Sequence, residues 1–252
     1  MSRVGFCNGK FLNQDEPCIT LNDRGFLFGD AVFTTLKVQD GNPQFFEEHI
    51  KRLEGQCKEL GIIPPAFFLN DLQELILKNE ALSGTWRLKI IVTGGDGQEL
   101  YLPLRNHGKL LMTISQVNYF PKNIFLTIFP KAISSPLMGL KTLSYLDRLF
   151  IMDYAKKLGA DDAVTLSNDG YILETAFSNI FWIIGLDVFV PDPDLGFLMG
   201  IQLTHQIEEY KKRGYQVHFV KMKYEAISKN AKIFVSNAII GVVPVYFKDA
   251  LC

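Results

Sequence analysis

The sequence predicts an α+β chain in two domains, and three observations carry that prediction. Strand-like runs recur at Ala31–Val38, Trp86–Val92, Leu110–Ile114 and Ile233–Ser236, rich in β-branched and aromatic residues. Between them stand apolar stripes at helical spacing, Phe46, Ile50, Leu53, Cys57 and Leu60, then Leu143, Leu146, Phe150, Tyr154 and Leu158. Pro121-Lys122-Asn123 interrupts the chain between two strand-like runs and sets a boundary, giving domains 1–120 and 121–252. At 252 residues the chain has enough length for two modest cores.

Taken in order, Val4–Cys7 and Lys10–Leu12 flank Asn8-Gly9, the chemistry of a tight hairpin. Asp23-Arg24-Gly25 opens D-R-G-F-L-F-G-D, whose Gly25 and Gly29 allow sharp turns before the strand at Ala31. Asp30 reads as a turn or cap residue. Gly61 and Pro64 stop the first helix, and a second is expected over Phe67–Asn79. Gly94-Gly95-Asp96-Gly97 opens a long loop that runs to Gly108. Lys141 is expected at the head of an amphipathic helix ending at Gly159, followed by a hairpin, Ala163–Leu166 and Tyr171–Leu173, around Asn168-Asp169-Gly170. Glu174 falls where the second hairpin strand ends. Pro191-Asp192-Pro193-Asp194 is a rigid polar loop, and Gly200 leads into a helix over Ile201–Arg213.

A formal net charge of −1 gives no electrostatic case for nucleic acid or an acidic membrane surface. Hydrophobic residues make up 48%, as in globular proteins. Cys7, Cys18, Cys57 and Cys252 are scattered with no C-x-x-C pair, which reads as free thiols in a reducing compartment, with no metal site. The N-terminal residues lack the apolar stretch of a signal peptide. Ile180–Val190 is the most apolar run, but Asp187 interrupts it and it is too short to span a bilayer. A cytoplasmic protein with a small-molecule substrate is expected.

Lys141 and Glu174 carry the chemistry. A desolvated lysine has a lowered pKa and forms a Schiff base with an aldehyde. If that aldehyde is pyridoxal phosphate, the ring nitrogen needs a polar partner, and a carboxylate keeps it protonated. On spacing alone, a solvated lysine and an edge-strand acid are the default reading. Gly200 before a helix offers backbone N–H groups at a positive dipole end, a feature that suits phosphate and is also common. Arg52 beside the first helical stripe reads by itself as a solvated residue burying its stem, and His49 as structural.

The wording of the motifs adds to this. G-L-K-T-L-S-Y-L with I-L-E-T-A-F-S-N-I-F-W, D-R-G-F-L-F-G-D-A-V-F, F-E-E-H-I-K-R-L, G-I-Q and F-V-S-N-A-I-I-G resemble the class IV aminotransferases, the fold-type IV pyridoxal-phosphate enzymes. The resemblance runs from Asp23 to Val245. It implies a smaller N-terminal α+β domain, a larger barrel-like C-terminal domain, cofactor in the cleft between them, and a homodimer. By resemblance, Lys141 is the cofactor lysine, Glu174 the partner of the pyridine nitrogen, and Arg52 a phosphate ligand, the fork of a guanidinium suiting that anion. It also implies phosphate contacts from the backbone of Ile201 and Gln202 and from the turn at Asn237 and Ala238, with Asn179 close by. Tyr145 matches a tyrosine that meets the cofactor's phenolic oxygen in branched-chain enzymes. Phe33 stands where D-amino acid enzymes resemble a Tyr. Arg105 is either a ligand for a substrate carboxylate or a surface residue. Within the family, the short chain, Phe33 and H-I-K-R-L-E-G-Q-C-K-E-L are similar to aminodeoxychorismate lyase, which releases 4-aminobenzoate and pyruvate for folate synthesis. The family's usual substrate-loop motifs are not recognisable here. The alternatives are an aminotransferase for D-amino or branched-chain substrates and a non-catalytic binding protein on the same fold.

Overall fold

The computed structural model describes residues 3–66 and 69–248. They divide into two compact units, one of residues 1–119 with 140–145, the other of 120–139 with 146–252.

In the first unit, β1 (Val4–Cys7) and β2 (Lys10–Asn13) form the expected hairpin. A short helix α1 (Arg24–Phe28) follows, unforeseen in the sequence although both its ends are signalled there. The Asp23 carboxylate accepts from the Gly25 and Phe26 amides, and Gly29 closes the helix at φ 68°, a left-handed conformation that costs glycine little. Next come β3 (Ala31–Gln39), β4 (Asn42–Pro43), α2 (Phe46–Leu60), α3 (Leu69–Lys78), β5 (Thr85–Thr93) and β6 (Lys109–Gln116). The start expected for α3 at Phe67 lies outside the described residues. The sheet order is β2-β1-β6-β5-β3-β4. Alternation along β3 and β5 sends Val32, Leu36, Val38, Leu88 and Ile90 into one core with Leu53 and Cys57 of α2 and Leu72 and Leu75 of α3. Truncating one of these, as in Leu88→Ala, costs about 2–5 kcal/mol.

The second unit contains β7 (Ile124–Ala132), α4 (Leu146–Lys157), β8 (Asp162–Leu166), β9 (Ile172–Thr175), β10 (Asn179–Ile184), β11 (Asp187–Pro191), α5 (Ile201–Lys212), β12 (Gln216–Val220), β13 (Lys232–Asn237) and β14 (Gly241–Phe247). Its sheet runs β12-β11-β10-β13-β14-β7-β8-β9. This sheet curls. The Ile172 amide at the start of β9 donates to the Met222 carbonyl at 2.9 Å, just past β12 at the far end of the strand order. The barrel-like character expected of this half is therefore present.

Two expectations change. The helix expected to begin at Lys141 begins at Leu146. Residues 140–145 are extended instead, because backbone groups of β3 claim them. The Phe33 amide donates to the Lys141 carbonyl at 2.8 Å, and the Leu143 amide to the Ala31 carbonyl at 3.0 Å. The same bonds place Lys141 in the first unit, whereas the sequence put it in the second domain. Along α4 the buried residues are Ile151 and Ala155, while Leu146, Leu149 and Phe150 are exposed.

Candidate active site

In the first unit the candidate residues collect around β3. Phe33 is buried, and the Lys141 ammonium lies 4.7 Å from its ring centroid and 5.7 Å from that of Tyr145. Tyr145 meets Phe33 edge to face at 5.2 Å. The backbone of Lys141 is tied on both sides, its carbonyl accepting from Phe33 and its amide donating to Gln56 Oε1 at 3.3 Å. Lys141 thus extends from a fixed backbone over an aromatic floor, and cation–π attraction orients it there.

Arg52 is half-buried on α2 and donates from Nη2 to Thr34 Oγ1 at 3.1 Å. Thr34 is itself held by His49 Nδ1 at 2.6 Å, the structural part expected of His49. Burial pushes the Arg52 guanidinium down to about 10, so it stays cationic at neutral pH. Its Nε is buried without a hydrogen-bond partner among the described residues. A buried donor left open in this way is an invitation to an anion.

Arg105 is not the surface residue that the sequence offered as one alternative. It is buried, and its terminal nitrogens donate to Asp30 Oδ1 at 3.2 Å, to the Pro103 carbonyl at 2.5 Å and to the Leu60 carbonyl. Asp30 also pairs with buried Arg24 at 2.7 Å, and Arg24 donates to the Glu99 and Tyr101 carbonyls at 2.7 and 3.0 Å. Asp30 is therefore more than a turn residue. It joins two arginines that brace the loop between β5 and β6 by its backbone. Arg105 Nη1 and Nη2 are engaged by carbonyls and a carboxylate, while its Nε is buried without a hydrogen-bond partner among the described residues. The pairing partner was invisible in the sequence because Asp30 and Arg105 lie far apart along the chain.

In the second unit, Glu174 lies in β9, buried. Arg148 of α4 donates from Nη2 to its carboxylate and from Nη1 to the Thr175 carbonyl at 3.2 Å. Arg148 gave no signal in the sequence beyond being a helical arginine. The turn after β9 is organised by Asp162, whose carboxylate accepts from Thr175 Oγ1 at 2.7 Å and the Ala176 amide at 3.0 Å. Burial raises the Asp162 pKa, against the lowering effect of those hydrogen bonds.

Asn179 holds the loop that enters α5. Its Oδ1 accepts from the Gly200 amide at 2.9 Å and its Nδ2 donates to the Leu198 carbonyl at 2.7 Å. A Cβ on Gly200 would lie 2.2 Å from Asn179 Oδ1, so the close approach needs glycine here. No side chain caps α5, leaving the Ile201 and Gln202 amides at the positive end of a helix macrodipole. Asn237 Oδ1 accepts from the Ile239 and Ile240 amides, and Nδ2 donates to Ser178 Oγ at 2.9 Å. Its side chain shapes the turn that begins at Ala238.

A family model for the class IV aminotransferases matches residues 31–246. The chain belongs to that family. It is a pyridoxal-phosphate-dependent enzyme, and groups in each unit suit that cofactor: the unpartnered Nε of Arg52 in the first, and an uncapped helix start and a buried carboxylate in the second. Over 254 residues it is 26% identical to the aminodeoxychorismate lyase of Bacillus subtilis, covering 95% of this chain and 84% of that one. It is 22% identical over 256 residues to the D-alanine aminotransferase of Staphylococcus epidermidis, covering 97% and 88%. The structure of the Escherichia coli branched-chain amino acid aminotransferase superposes with a TM-score of 0.87 at 20% identity, over 99% of this chain and 87% of that one. At that identity it speaks for the fold alone. Among the described residues no helix is long and apolar enough to cross a membrane.

Proposed function

We infer that this enzyme is an aminodeoxychorismate lyase, releasing 4-aminobenzoate and pyruvate. The observation that carries the reading is the similarity to the Bacillus subtilis lyase along nearly the whole chain.

When bound, pyridoxal phosphate supplies an electron-withdrawing ring that stabilises negative charge beside the substrate amine. The chain's own residues do the rest. Lys141 Nζ holds the cofactor and afterwards carries the proton between substrate positions. Its tied backbone and the Phe33 ring limit where that nitrogen reaches. Glu174 holds a proton at the pyridine nitrogen. Arg52 and the Ile201 and Gln202 amides bind the phosphate, and the Asn237–Ala238 turn adds backbone donors to it. Asn179 positions the loop that presents those amides. The active form is a homodimer, and Leu146, Leu149 and Phe150 of α4 offer exposed apolar surface for a second copy.

Tyr145 favours the second reading, an aminotransferase of D-amino or branched-chain substrates, since its ring stands beside Lys141 and it matches the tyrosine of the branched-chain enzymes. Incubation with aminodeoxychorismate separates the two. Equal amounts of 4-aminobenzoate and pyruvate at a catalytic rate are expected. Their absence from cofactor-loaded protein, with turnover of D-alanine or branched-chain amino acids and 2-oxoglutarate, replaces the lyase by the transaminase.

A further inference from the structure

The face of the first unit's sheet that points away from its core carries a cationic strip. Strand register sets Thr35 opposite Lys89 and Lys37 opposite Arg87, and directly opposed residues share a face. On β6 the neighbours in the same rows are Thr113 and Ser115, so these rows present three cations and no acid. Like charges set directly across strands cost stability.

Lys89 is the member of the strip that meets the Phe33 ring. Its ammonium lies 4.4 Å from the centroid of the Phe33 ring, the ring that also carries the Lys141 ammonium at 4.7 Å. Among the described residues no carboxylate pairs with Lys89 and no hydrogen bond engages its Nζ. It is half-buried, and desolvation lowers its pKa, as it does that of Lys37. A partly desolvated ammonium beside an aromatic face gains more from a carboxylate than a solvated one does.

We propose that Lys89 binds a substrate carboxylate remote from the amine, so that the enzyme selects amines carrying more than one carboxylate. This rests on Lys141 as the reacting lysine. It goes beyond the lyase reading because any small polycarboxylate amine satisfies it.

The test is binding of two simple probes, isophthalate and benzoate, to the cofactor-loaded protein by calorimetry. They share a six-membered ring and differ by one carboxylate. The wild type is expected to bind isophthalate at least about tenfold more tightly than benzoate, the scale of a hydrogen bond to a charged group. Lys89→Met should erase that preference while leaving benzoate affinity in place, and Lys89→Arg should keep it. Benzoate binding and an unchanged melting temperature show that the Met variant is folded. Equal affinities in the wild type, or a preference that survives Lys89→Met, overturn the proposal. The lyase reading fails separately. Loss of the preference in Lys89→Met, in a protein that releases no 4-aminobenzoate, upholds the carboxylate site and removes the lyase. Borohydride trapping of the cofactor on a lysine other than Lys141 removes the premise and the proposal with it.

Discussion

Arg148 grips Glu174. Its guanidinium reaches the carboxylate with Nη2 and the neighbouring Thr175 carbonyl with Nη1 at 3.2 Å, so the acid proposed to meet the cofactor ring is fixed in orientation. Arg148→Met should therefore keep cofactor bound, lower turnover by about tenfold or more, and move the pH at which the bound cofactor's absorbance changes. Arg148→Lys should fall between the two. A profile that stays put in Arg148→Met assigns Arg148 to the loop alone. Glu174→Gln should slow turnover more than Arg148→Met does.

Lys141→Ala is expected to lose covalent attachment of the cofactor. Borohydride reduction followed by peptide mass analysis should place the cofactor's mass on the Lys141 peptide in the wild type and on no peptide in the variant.

Removing the Arg52 guanidinium takes away the charge-assisted donors proposed for the cofactor phosphate. Arg52→Met should weaken cofactor binding by about ten- to a hundredfold, the range for hydrogen bonds to charged groups. Thr34→Val, which takes away only the hydroxyl that Arg52 donates to, should weaken it less. Both are read by titrating cofactor into apoprotein.

Gly200→Ala forces a methyl against Asn179 Oδ1. The loop must shift, and with it the Ile201 and Gln202 amides. Weaker cofactor binding is expected, with little change in the first unit. Asn179→Ala together with Gly200→Ala relieves the contact and should recover part of the melting temperature, though not the affinity.

Burial pushes the Cys57 thiol up to about 12 from an ordinary value near 9.0. Between those values the unfolded chain loses this proton and the folded chain keeps it, so stability falls as pH rises from about 9, by up to about 1.4 kcal/mol per unit for one thiol. Cys57→Ala should flatten the decline of melting temperature between pH 9 and 10.5. At pH 8, iodoacetamide should modify exposed Cys18 quickly, and Cys7 and Cys57 only after denaturation.

The parts of this molecule that were legible in the sequence are those decided locally. The first hairpin, the β3 and β5 strands, the stop of α2 at Gly61 and the start of α5 at Gly200 all follow from periodicity and turn chemistry. What stayed hidden depends on partners distant along the chain. Residues 140–145 have helical spacing, yet amides and carbonyls of β3 outbid the helix. Arg105 looked available because nothing nearby in sequence neutralises it. Arg148 looked like any helical arginine, since its partner arrives from another element. Local pattern cannot report a hydrogen bond that is closed by a different part of the chain.

The strap of residues 140–145 also decides how this protein can be dissected. A fragment ending at Tyr119 takes β3 but leaves behind the strand that covers the Ala31 carbonyl and the Phe33 amide, and Lys141 departs with the remainder. No single excision yields an intact half. Truncation, fusion at the boundary near Phe120, or exchange of halves between relatives will each separate Lys141 from the ring and backbone that aim it, unless the strap is transplanted as well.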